Sequence, residues 1–238
     1  MQQNFESKVH LLKNATYPGR GIIIGQTPGS GQFVQVYWIM GRSENSRNRV
    51  FVAEGTSVKT DLVDRSKVED ASLILYHPVK VINRCHIVTN GDQTDTIYES
   101  IRDETLFETA LNTRSFEPDA PNFTPRISGL VDLDDDRNAY QLCVIKTISN
   151  RPDYCTRQYF NYETAVPGIG HCITTYTDDG DPLPPFCGEP FTVELFDDIE
   201  ATANFYWNVL NEDNRVSLLV KFIDAGTGAW ELKIVNKY

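Results

Sequence analysis

The segment "IVTNGDQTD", residues 87–95, places groups that can bind and transfer protons directly behind a strand-like run. Asn90-Gly91 is typical of a tight turn, because both residues tolerate positive φ. A turn alone does not require the carboxylates of Asp92 and Asp95 that follow. Carboxylates, amides and hydroxyls at the end of a strand can orient a substrate and exchange protons with it. Two interpretations are open at this point: a segment that lines a ligand pocket, and a turn followed by a helix cap.

Arginines in two further segments could bind an anionic ligand. The segment "GRSENSRNR", residues 41–49, contains Arg42, Arg47 and Arg49, and its alternative interpretation is a solvated loop paired with surface acids. The segment "NFTPRIS", residues 122–128, carries Arg126 into a strand-like run. An arginine inside a strand is costly unless it meets a carboxylate or a ligand anion.

Other polar patterns point away from metal and covalent chemistry. The acidic run "DLDDD", residues 132–136, lacks the later Gly and Glu of an EF-hand and is interpreted as a solvated turn. His171 and Cys172 are neighbours on a predicted strand, so their side chains point to opposite faces and cannot pair. The remaining phenols, arginines, amides and carboxylates suit anion binding, carbonyl polarisation and proton transfer without covalent attack.

Composition restricts the class of protein. The chain has 238 residues and 40% hydrophobic residues, which fits one globular domain spanning 1–238. Its formal charge of −11 disfavours nucleic acid and anionic lipid as partners, so an anionic substrate needs a local basic pocket. No run of 18 apolar residues and no secretory leader pattern is present, so no membrane association is expected. Five cysteines, an odd number, favour free thiols in a reducing, cytoplasmic compartment.

Hairpin patterns dominate the predicted elements. Strand pairs are predicted within residues 19–43, 72–91, 125–149 and 215–238, with the second pair broken at His77-Pro78. Residues 155–178 are predicted to be extended. Helices are predicted over 96–114 and 197–211 from their apolar periodicity. Consecutive hairpins with few helices indicate an α+β class with mostly antiparallel sheets.

Four segments together resemble the archaeal-type IMP cyclohydrolases and their bacterial relatives: "YPGRGIIIGQT", "VTNGDQTD", "NFTPRISG" and "GIGHCITTYTDDGDPLPPFCGEP". They follow the order of the family over residues 17–190, and the part after residue 190 resembles it less. The resemblance implies a four-layer αββα sandwich like that of the N-terminal-nucleophile hydrolases. It also implies dehydrative ring closure of 5-formamidoimidazole-4-carboxamide ribotide to inosine monophosphate (IMP), in the last step of purine synthesis.

The resemblance also implies that the segment "TNGDQTD" lines the substrate pocket, and it implies roles for individual residues at positions that match the family. The implied substrate contacts are Arg20, Arg49, Asn122, Arg126, Thr175 and Tyr176. The implied catalytic residues are Tyr76, Asn90, Asp92 and, as a further carboxylate, Glu99. The reaction involves neither redox chemistry nor one-carbon transfer, so no cofactor or metal is expected. The expected partner is a small purine ribotide, and a homo-oligomer is compatible with the sequence.

Two other functions remain open at this point. A non-catalytic purine-nucleotide binder on the same fold would need the arginines but not proton-transfer geometry at Tyr76. A cysteine-dependent amidohydrolase would need a base beside one of the five thiols or a processed terminus. Tyr76 itself could also be a core aromatic residue whose hydroxyl bonds a backbone carbonyl.

Overall fold

The computed structural model describes residues 6–67 and 74–238, in which two antiparallel sheets dominate. The first sheet contains, in spatial order and with strands numbered along the chain, β11 (Phe191–Glu194), β10 (Ile169–Thr174), β1 (Gly21–Gln26), β2 (Phe33–Met40), β12 (Arg215–Ile223) and β13 (Trp230–Asn236). The second contains β3 (Arg49–Glu54), β4 (Ser57–Leu62), β5 (Val79–Ile82), β6 (Cys85–Thr89), β7 (Arg126–Asp132), β8 (Tyr140–Ile148) and β9 (Arg151–Tyr162).

Short helices accompany these sheets. They are α1 (His10–Asn14), α2 (Glu44–Arg47), α3 (Gln93–Arg102), α4 (Phe107–Asn112) and α5 (Ile199–Val209), with a 3₁₀ turn at Arg65–Lys67. None of the helices in the described part of the chain is long and apolar enough to cross a membrane.

Three apolar clusters set the sheets and helices against one another. Inward residues of both sheets, such as Ile24 and Leu142, form a core between the sheets. The outer face of the first sheet packs against α1 and α5 through residues such as Leu12 and Tyr206. The outer face of the second sheet packs against α3 and α4. The α+β class is therefore confirmed, with two antiparallel sheets and few helices.

The hairpins with clear turn signals form as predicted. β1 pairs with β2 across the Gly-rich turn, β7 pairs with β8, and β12 pairs with β13. The second predicted helix is α5, and the side chain of Asp198 accepts the N–H of Ala201 at its N-terminus. The extended prediction for residues 155–178 corresponds to parts of β9 and β10.

The predicted helix over 96–114 is wrong in its extent, because the chain forms two helices there. α3 already begins at Gln93 and ends at Arg102. Glu104 then adopts a positive φ of 56°, and the N–H of Thr105 donates to the carbonyl of Ser100. This is a Schellman end, in which Glu104 takes the position that glycine usually fills. The break turns α4 onto the second sheet.

The predicted strands within residues 72–91 also need correction. Residues 74–77 are not a strand, and residues 72 and 73 lie outside the described part. Both strands, β5 and β6, follow Pro78 and turn at Asn83, which has a φ of 53°. The β3–β4 hairpin carried no clear pattern and was not predicted.

Candidate active site

Two guanidinium groups and one carboxyl group meet in a buried cluster formed by Arg20, Arg49 and Glu117. Nη1 of Arg20 lies 3.7 Å from Oε2 of Glu117, within Coulombic contact but beyond hydrogen-bond distance. The buried Nε of Arg20 has no hydrogen-bond partner among the described residues. Arg20 therefore retains donors for a ligand, since a buried polar group normally finds a partner.

Arg49 is a buried cation that lacks a carboxylate partner. Only 2% of the residue is exposed. Its Nε donates to the carbonyl of Ser46 at 2.8 Å, and its Nη2 donates to the carbonyl of Met40 at 3.1 Å. No carboxylate in the described part of the chain lies within ion-pair distance of it. Because a buried charge is costly without a counter-charge, this guanidinium is suited to an anionic ligand.

Three phenols surround these charges. The hydroxyl oxygens of Tyr37 and Tyr76 are 2.7 Å apart, and both rings are buried. The hydroxyl of Tyr176 lies 2.5 Å from Oγ1 of Thr124. All three phenols are electrostatically coupled to Arg20. We refer to Arg20, Arg49, Glu117, Tyr37, Tyr76 and Tyr176 as the Arg–Tyr cluster.

Burial shifts the proton affinities of this cluster. It raises the pKa of the Glu117 carboxyl above its usual value, although Arg20 and Arg126 act in the opposite direction. Burial, followed by the positive charge of Arg20, lowers the pKa of Arg49. Burial also raises the pKa of Tyr37, which keeps its phenol protonated. A carboxyl whose pKa moves toward neutrality, beside phenols that donate, is suited to proton transfer.

A close backbone approach positions Arg20. Gly19 has a φ of 73°, and a Cβ built there would lie 2.2 Å from Oγ1 of Thr175. The N–H of Arg20 donates to Oγ1 of Thr175 at 3.1 Å, and the N–H of Thr175 donates to the carbonyl of Arg20 at 2.9 Å. These bonds extend the β1–β10 pairing beyond Gly21 and fix where the Arg20 side chain starts. The motif "YPGRG" therefore requires glycine at position 19.

The segment "TNGDQTD" joins β6 to the elements around it. Oδ1 of Asn90 accepts from the N–H of Ile127 and from Nε2 of Gln93, both at 2.8 Å. Nδ2 of Asn90 donates to the carbonyl of Pro125 at 2.9 Å and lies 3.4 Å from Oε1 of Glu117. Asn90 is fully buried. This turn therefore supports the Arg–Tyr cluster from behind, through the carboxyl group of Glu117.

Arg126 bonds the carboxylate of Asp92, which agrees with the expectation that an arginine inside a strand needs a carboxylate or a ligand anion. Its Nη1 donates to Oδ1 of Asp92 at 2.6 Å and to Oε1 of Gln93 at 2.7 Å. Its Nε donates to the carbonyl of Ser115 at 2.8 Å. Asp92 also pairs with Arg114. Burial opposes ionisation of Asp92, but the two arginines outweigh it and hold the pKa of the carboxyl below its usual value.

The loop between α4 and β7 brings Glu117 and Thr124 to the cluster. The N–H of Thr124 donates to Oδ1 of Asp119 at 2.6 Å, and its hydroxyl also bonds that carboxylate. The N–H of Glu117 donates to the carbonyl of Thr124 at 2.9 Å, which closes the loop. Asn122 lies farther out, where its Oδ1 accepts the N–H of Leu183 at 3.1 Å.

The structure groups some of the predicted site residues and separates others. Arg20, Arg49, Tyr76 and Tyr176 belong to the Arg–Tyr cluster. Supporting positions around it are occupied by Asn90, Asp92, Arg126 and Thr175. Asn122 contacts the 183 loop instead. Glu99 lies apart, exposed on α3, and its carboxylate accepts no hydrogen bond from the described residues.

Glu117 and Tyr37 were missed by sequence reasoning. Glu117 lies in an irregular loop with no periodic pattern, and its burial arises only when β1 and β3 bring their arginines to it. Tyr37 looks like any aromatic residue of a buried strand. Pro118, Pro121 and Pro125, which lie within the 117–125 loop, are a sequence signal that the backbone of this segment is restrained.

Two cavities are lined by acidic side chains. A cavity of about 290 Å³ beside Tyr76 is lined by three carboxylates, Asp61, Asp92 and Asp95, and by the cations Lys59 and Arg65. A larger one, about 770 Å³, lies elsewhere and is lined by seven Asp and Glu residues and by Arg137, which makes it unsuitable for an anionic ligand. Within the described ranges, no three His, Cys, Asp or Glu side chains are arranged to hold a metal ion.

The cysteines offer no nucleophile near this cluster. All five are free thiols. Cys172 packs on the outer face of the first sheet, whereas His171 bonds Tyr140 on the opposite face at 2.6 Å, as strand alternation predicts. Burial raises the pKa of the Cys172 thiol well above its usual value. A thiolate there is therefore disfavoured.

Comparison with known proteins gives two matches. A family model described as "IMP cyclohydrolase-like protein" matches residues 17–227. A protein of Methanothrix thermoacetophila named IMP cyclohydrolase is 35% identical over 119 residues. The aligned part makes up 48% of this chain and 57% of that relative, so the match spans little more than half of the relative's length. The family match includes every residue of the Arg–Tyr cluster.

Proposed function

The chain belongs to the IMP cyclohydrolase-like family, and on that basis we propose that it closes the ring of 5-formamidoimidazole-4-carboxamide ribotide to form IMP and water. The observation that carries the proposal is the Arg–Tyr cluster, which lies wholly within the matched residues. Among the described residues, it combines an arginine whose Nε bonds no protein group, a buried cation without a carboxylate partner and a carboxyl group of raised pKa. Anion binding and proton transfer need these groups in one place.

The substrate supplies proximity, and the protein supplies orientation and proton transfer. The carboxamide nitrogen and the formyl carbon already share one imidazole ring, so the enzyme has to hold them in a reactive geometry. During closure the nitrogen attacks the formyl carbon, negative charge develops on the formyl oxygen, and that oxygen finally leaves as water. The carboxamide nitrogen and the formamide nitrogen must each lose one proton, and the formyl oxygen must gain two protons to leave as water.

The cluster offers a group for each of these tasks. Arg20 donates to a carbonyl oxygen of the substrate, using the donors that Glu117 does not bind. Glu117 transfers the proton, because burial raises the pKa of its carboxyl group and so favours proton uptake. Tyr76, held by Tyr37, donates to the formyl oxygen as charge develops. The buried cation of Arg49 binds the anionic part of the ribotide.

The surrounding residues act by holding these groups in place. Asn90 fixes the turn behind Glu117, and Asp92 fixes Arg126 and the start of α3. Thr175 and Gly19 set the backbone of Arg20. Tyr176 and Thr124 close the wall on the side of the 117–125 loop. On this basis Asn90, Asp92, Arg126 and Thr175 are positioning residues.

The proposal extends to the fold. Helices cover the outer face of each sheet, and a shared core joins the inner faces. This packing supports a four-layer αββα sandwich of the type found in N-terminal-nucleophile hydrolases, in one domain over 1–238. The proposed chemistry uses no terminal nucleophile, since ring closure is an intramolecular attack by the substrate.

An assay with the formylated ribotide tests the proposal. The purified chain should convert it to IMP, followed by ultraviolet absorbance and identified by mass spectrometry, at a rate far above the uncatalysed one. Arg137→Met, whose side chain is 71% exposed and lies outside the cluster, serves as a control that keeps full activity. A chain that binds IMP with no ring closure would instead be a non-catalytic nucleotide binder. A chain that does neither would contradict the proposal.

A further inference from the structure

Lys221 is a lysine enclosed between the two sheets. It lies on β12 between Leu219 and Ile223, whose side chains belong to the core between the sheets. Strand alternation therefore directs the Lys221 side chain into the same space. The residue is 0% exposed. Lysine is almost never fully buried unless it is paired, so this position calls for a physical explanation.

The amine of Lys221 reaches across to the second sheet. Its Nζ lies 2.8 Å from Nδ1 of His86 on β6. Gln35 on β2 is the register partner of Lys221, and its Nε2 donates to the carbonyl of His86 at 2.9 Å. Lys221 on β12 and Gln35 on β2 therefore both hydrogen-bond His86 of the second sheet. The Trp230 ring lies over the amine, with its centroid 4.7 Å from Nζ.

No carboxylate compensates a charge at Lys221 within the part of the chain that the structure describes. The groups that face it are His86 from β6, the neutral amide of Gln35 from β2 and the Trp230 ring from β13. On β13, Trp230 and Leu232 pack toward this core, so Glu231 and Lys233 project from the opposite face. Arg84, at the edge of β6, pairs with Asp134 and adds positive charge near His86.

Burial in these surroundings favours the uncharged forms of both groups. It lowers the pKa of Lys221 to about 7. It also lowers the pKa of His86 to about 3, with Lys221 as the next cause. The aromatic face of Trp230 attracts a cation, but it does not replace the hydration that a buried ammonium loses. The His86 ring is therefore neutral; its Nδ1 shares one hydrogen bond with the amine of Lys221, and its Nε2 has no hydrogen-bond partner among the described residues.

We propose that Lys221 is held as a neutral amine and forms, with His86 and Gln35, a pH-sensitive pin between the two sheets. Tyr37 is the next inward-facing residue after Gln35 on β2, and β6 continues from His86 to Asn90. The pin thus fixes the two strands that lead to the Arg–Tyr cluster. Protonation of Lys221 places an uncompensated cation between the sheets and weakens their contact. This inference does not depend on the proposed reaction.

The pin gives stability a defined pH dependence. The folded pKa of about 7 lies below the unfolded lysine value of about 10.4. Between these values the unfolded chain binds one proton more than the folded chain, so stability rises with pH. The unfolding equilibrium constant should fall by up to about tenfold per pH unit in this window because of Lys221 alone. Below pH 7 both states are protonated, and this contribution becomes constant.

Nuclear magnetic resonance of the wild-type chain tests the protonation state directly. With lysine labelled at Cε, the resonance with a nuclear Overhauser contact to the Trp230 indole belongs to Lys221. Its titration midpoint should lie near pH 7, well separated from the exposed lysines. A midpoint near 10 for that resonance would overturn the proposal, and this measurement requires no variant to fold.

Chemical denaturation from pH 6 to 10 tests the consequence for stability. Lys221→Met keeps an unbranched side chain, one heavy atom shorter, and removes the titratable amine. The pH dependence of stability in the variant should therefore be less steep than in wild type by the slope due to one proton. Lys233→Met, on the outer face of β13 where Lys233 pairs with Glu200, should keep the wild-type slope. Equal slopes for wild type and Lys221→Met would contradict the pin.

Discussion

The hydroxyl oxygens of Tyr37 and Tyr76 lie 2.7 Å apart, although Tyr37 belongs to the first sheet and Tyr76 precedes β5 of the second. Their hydrogen bond joins the two sheets directly beside Arg20 and Arg49, to which both phenols are electrostatically coupled. The Tyr37 hydroxyl can therefore hold the Tyr76 hydroxyl in a fixed orientation while Tyr76 donates to a ligand. This arrangement favours a chemical role for Tyr76 over a purely apolar one.

Tyr76→Phe should chiefly lower kcat, because it removes a bond made as charge develops and keeps the ring packing. The expected loss is about 10²- to 10⁴-fold, roughly 3 to 5 kcal/mol. Steady-state kinetics on a variant shown to be folded by circular dichroism measures it. Tyr159→Phe is the control, since that hydroxyl bonds Glu108 and Asn112 away from the cluster. A Tyr76→Phe protein with kcat within twofold of wild type would make Tyr76 a core aromatic only.

Arg49→Met should abolish the preference for IMP over inosine. A charge-assisted hydrogen bond contributes about 1.5–3 kcal/mol, so IMP binding should weaken by roughly 10- to 100-fold. In wild type, IMP should raise the melting temperature more than inosine does, and added salt should reduce the difference. In Arg49→Met the two ligands should act alike, whereas Arg137→Met should behave as wild type. An IMP preference that survives in Arg49→Met would place the phosphate elsewhere.

Asp92→Asn should destabilise the fold at neutral pH. The buried Arg126 would lose its carboxylate and keep only Gln93 and Ser115. The Asp92 side chain is 56% exposed, so solvent screening limits the cost to about 1–2 kcal/mol. Because the folded pKa is depressed, this contribution is complete above the usual carboxyl value of about 4 and is lost as the pH falls through the folded pKa.

Urea denaturation from pH 7 down to pH 3 measures this effect. The difference between wild type and Asp92→Asn should shrink toward the acid end. Asp136→Asn, at an exposed position of the β7–β8 turn, should leave stability unchanged at every pH. A difference for Asp92→Asn that is independent of pH would mean that the ion pair with Arg126 does not carry the stabilisation.

Gly19→Ala should displace Arg20 as well as strain the backbone. An added Cβ would meet Oγ1 of Thr175 at 2.2 Å and the Tyr176 ring at 2.7 Å, at a φ of 73°. Gly55→Ala is a matched control, because Gly55 has a φ of 60° with nothing within 4 Å. The control should lose about 1–2 kcal/mol from backbone strain, and Gly19→Ala a further 1–3 kcal/mol or so from overpacking. Equal losses in thermal denaturation would show that the Gly19–Thr175 contact relaxes freely.

Secondary structure is predicted best from the sequence where the chemistry of neighbouring residues determines it. Glycine turns define the β1–β2 and β12–β13 hairpins, and Asp198 marks the start of α5. The helix over 96–114 was predicted as one because Glu104 gives no glycine-like signal for the Schellman end it forms. The exposed position of Glu99 follows from the orientation of α3 on the second sheet, which the pattern of that segment alone does not determine.

The arrangement of the site residues could not be predicted from the sequence in the same way. Arg20, Arg49 and Glu117 lie in three different segments, and the local pattern of each segment does not show that the three residues meet. Glu117 acquires its raised pKa only when folding buries it. Conversely, Arg126 was expected to meet a carboxylate or a ligand anion, and Asn90 was expected to contact the substrate; the structure gives them Asp92 and the carbonyl of Pro125 as partners. Sequence chemistry identifies groups that need a partner, and only the fold determines whether that partner is protein.

The most direct test of the central claim is the single-turnover rate of ring closure for Glu117→Gln, measured together with its affinity for IMP. Glutamine keeps the shape and the bond to Asn90 but cannot exchange a proton. The rate should fall by about 10²- to 10⁴-fold, while the Kd for IMP changes by only a few-fold. A Glu117→Gln chain that closes the ring at the wild-type rate would contradict the assignment of the Arg–Tyr cluster as the proton-transfer site.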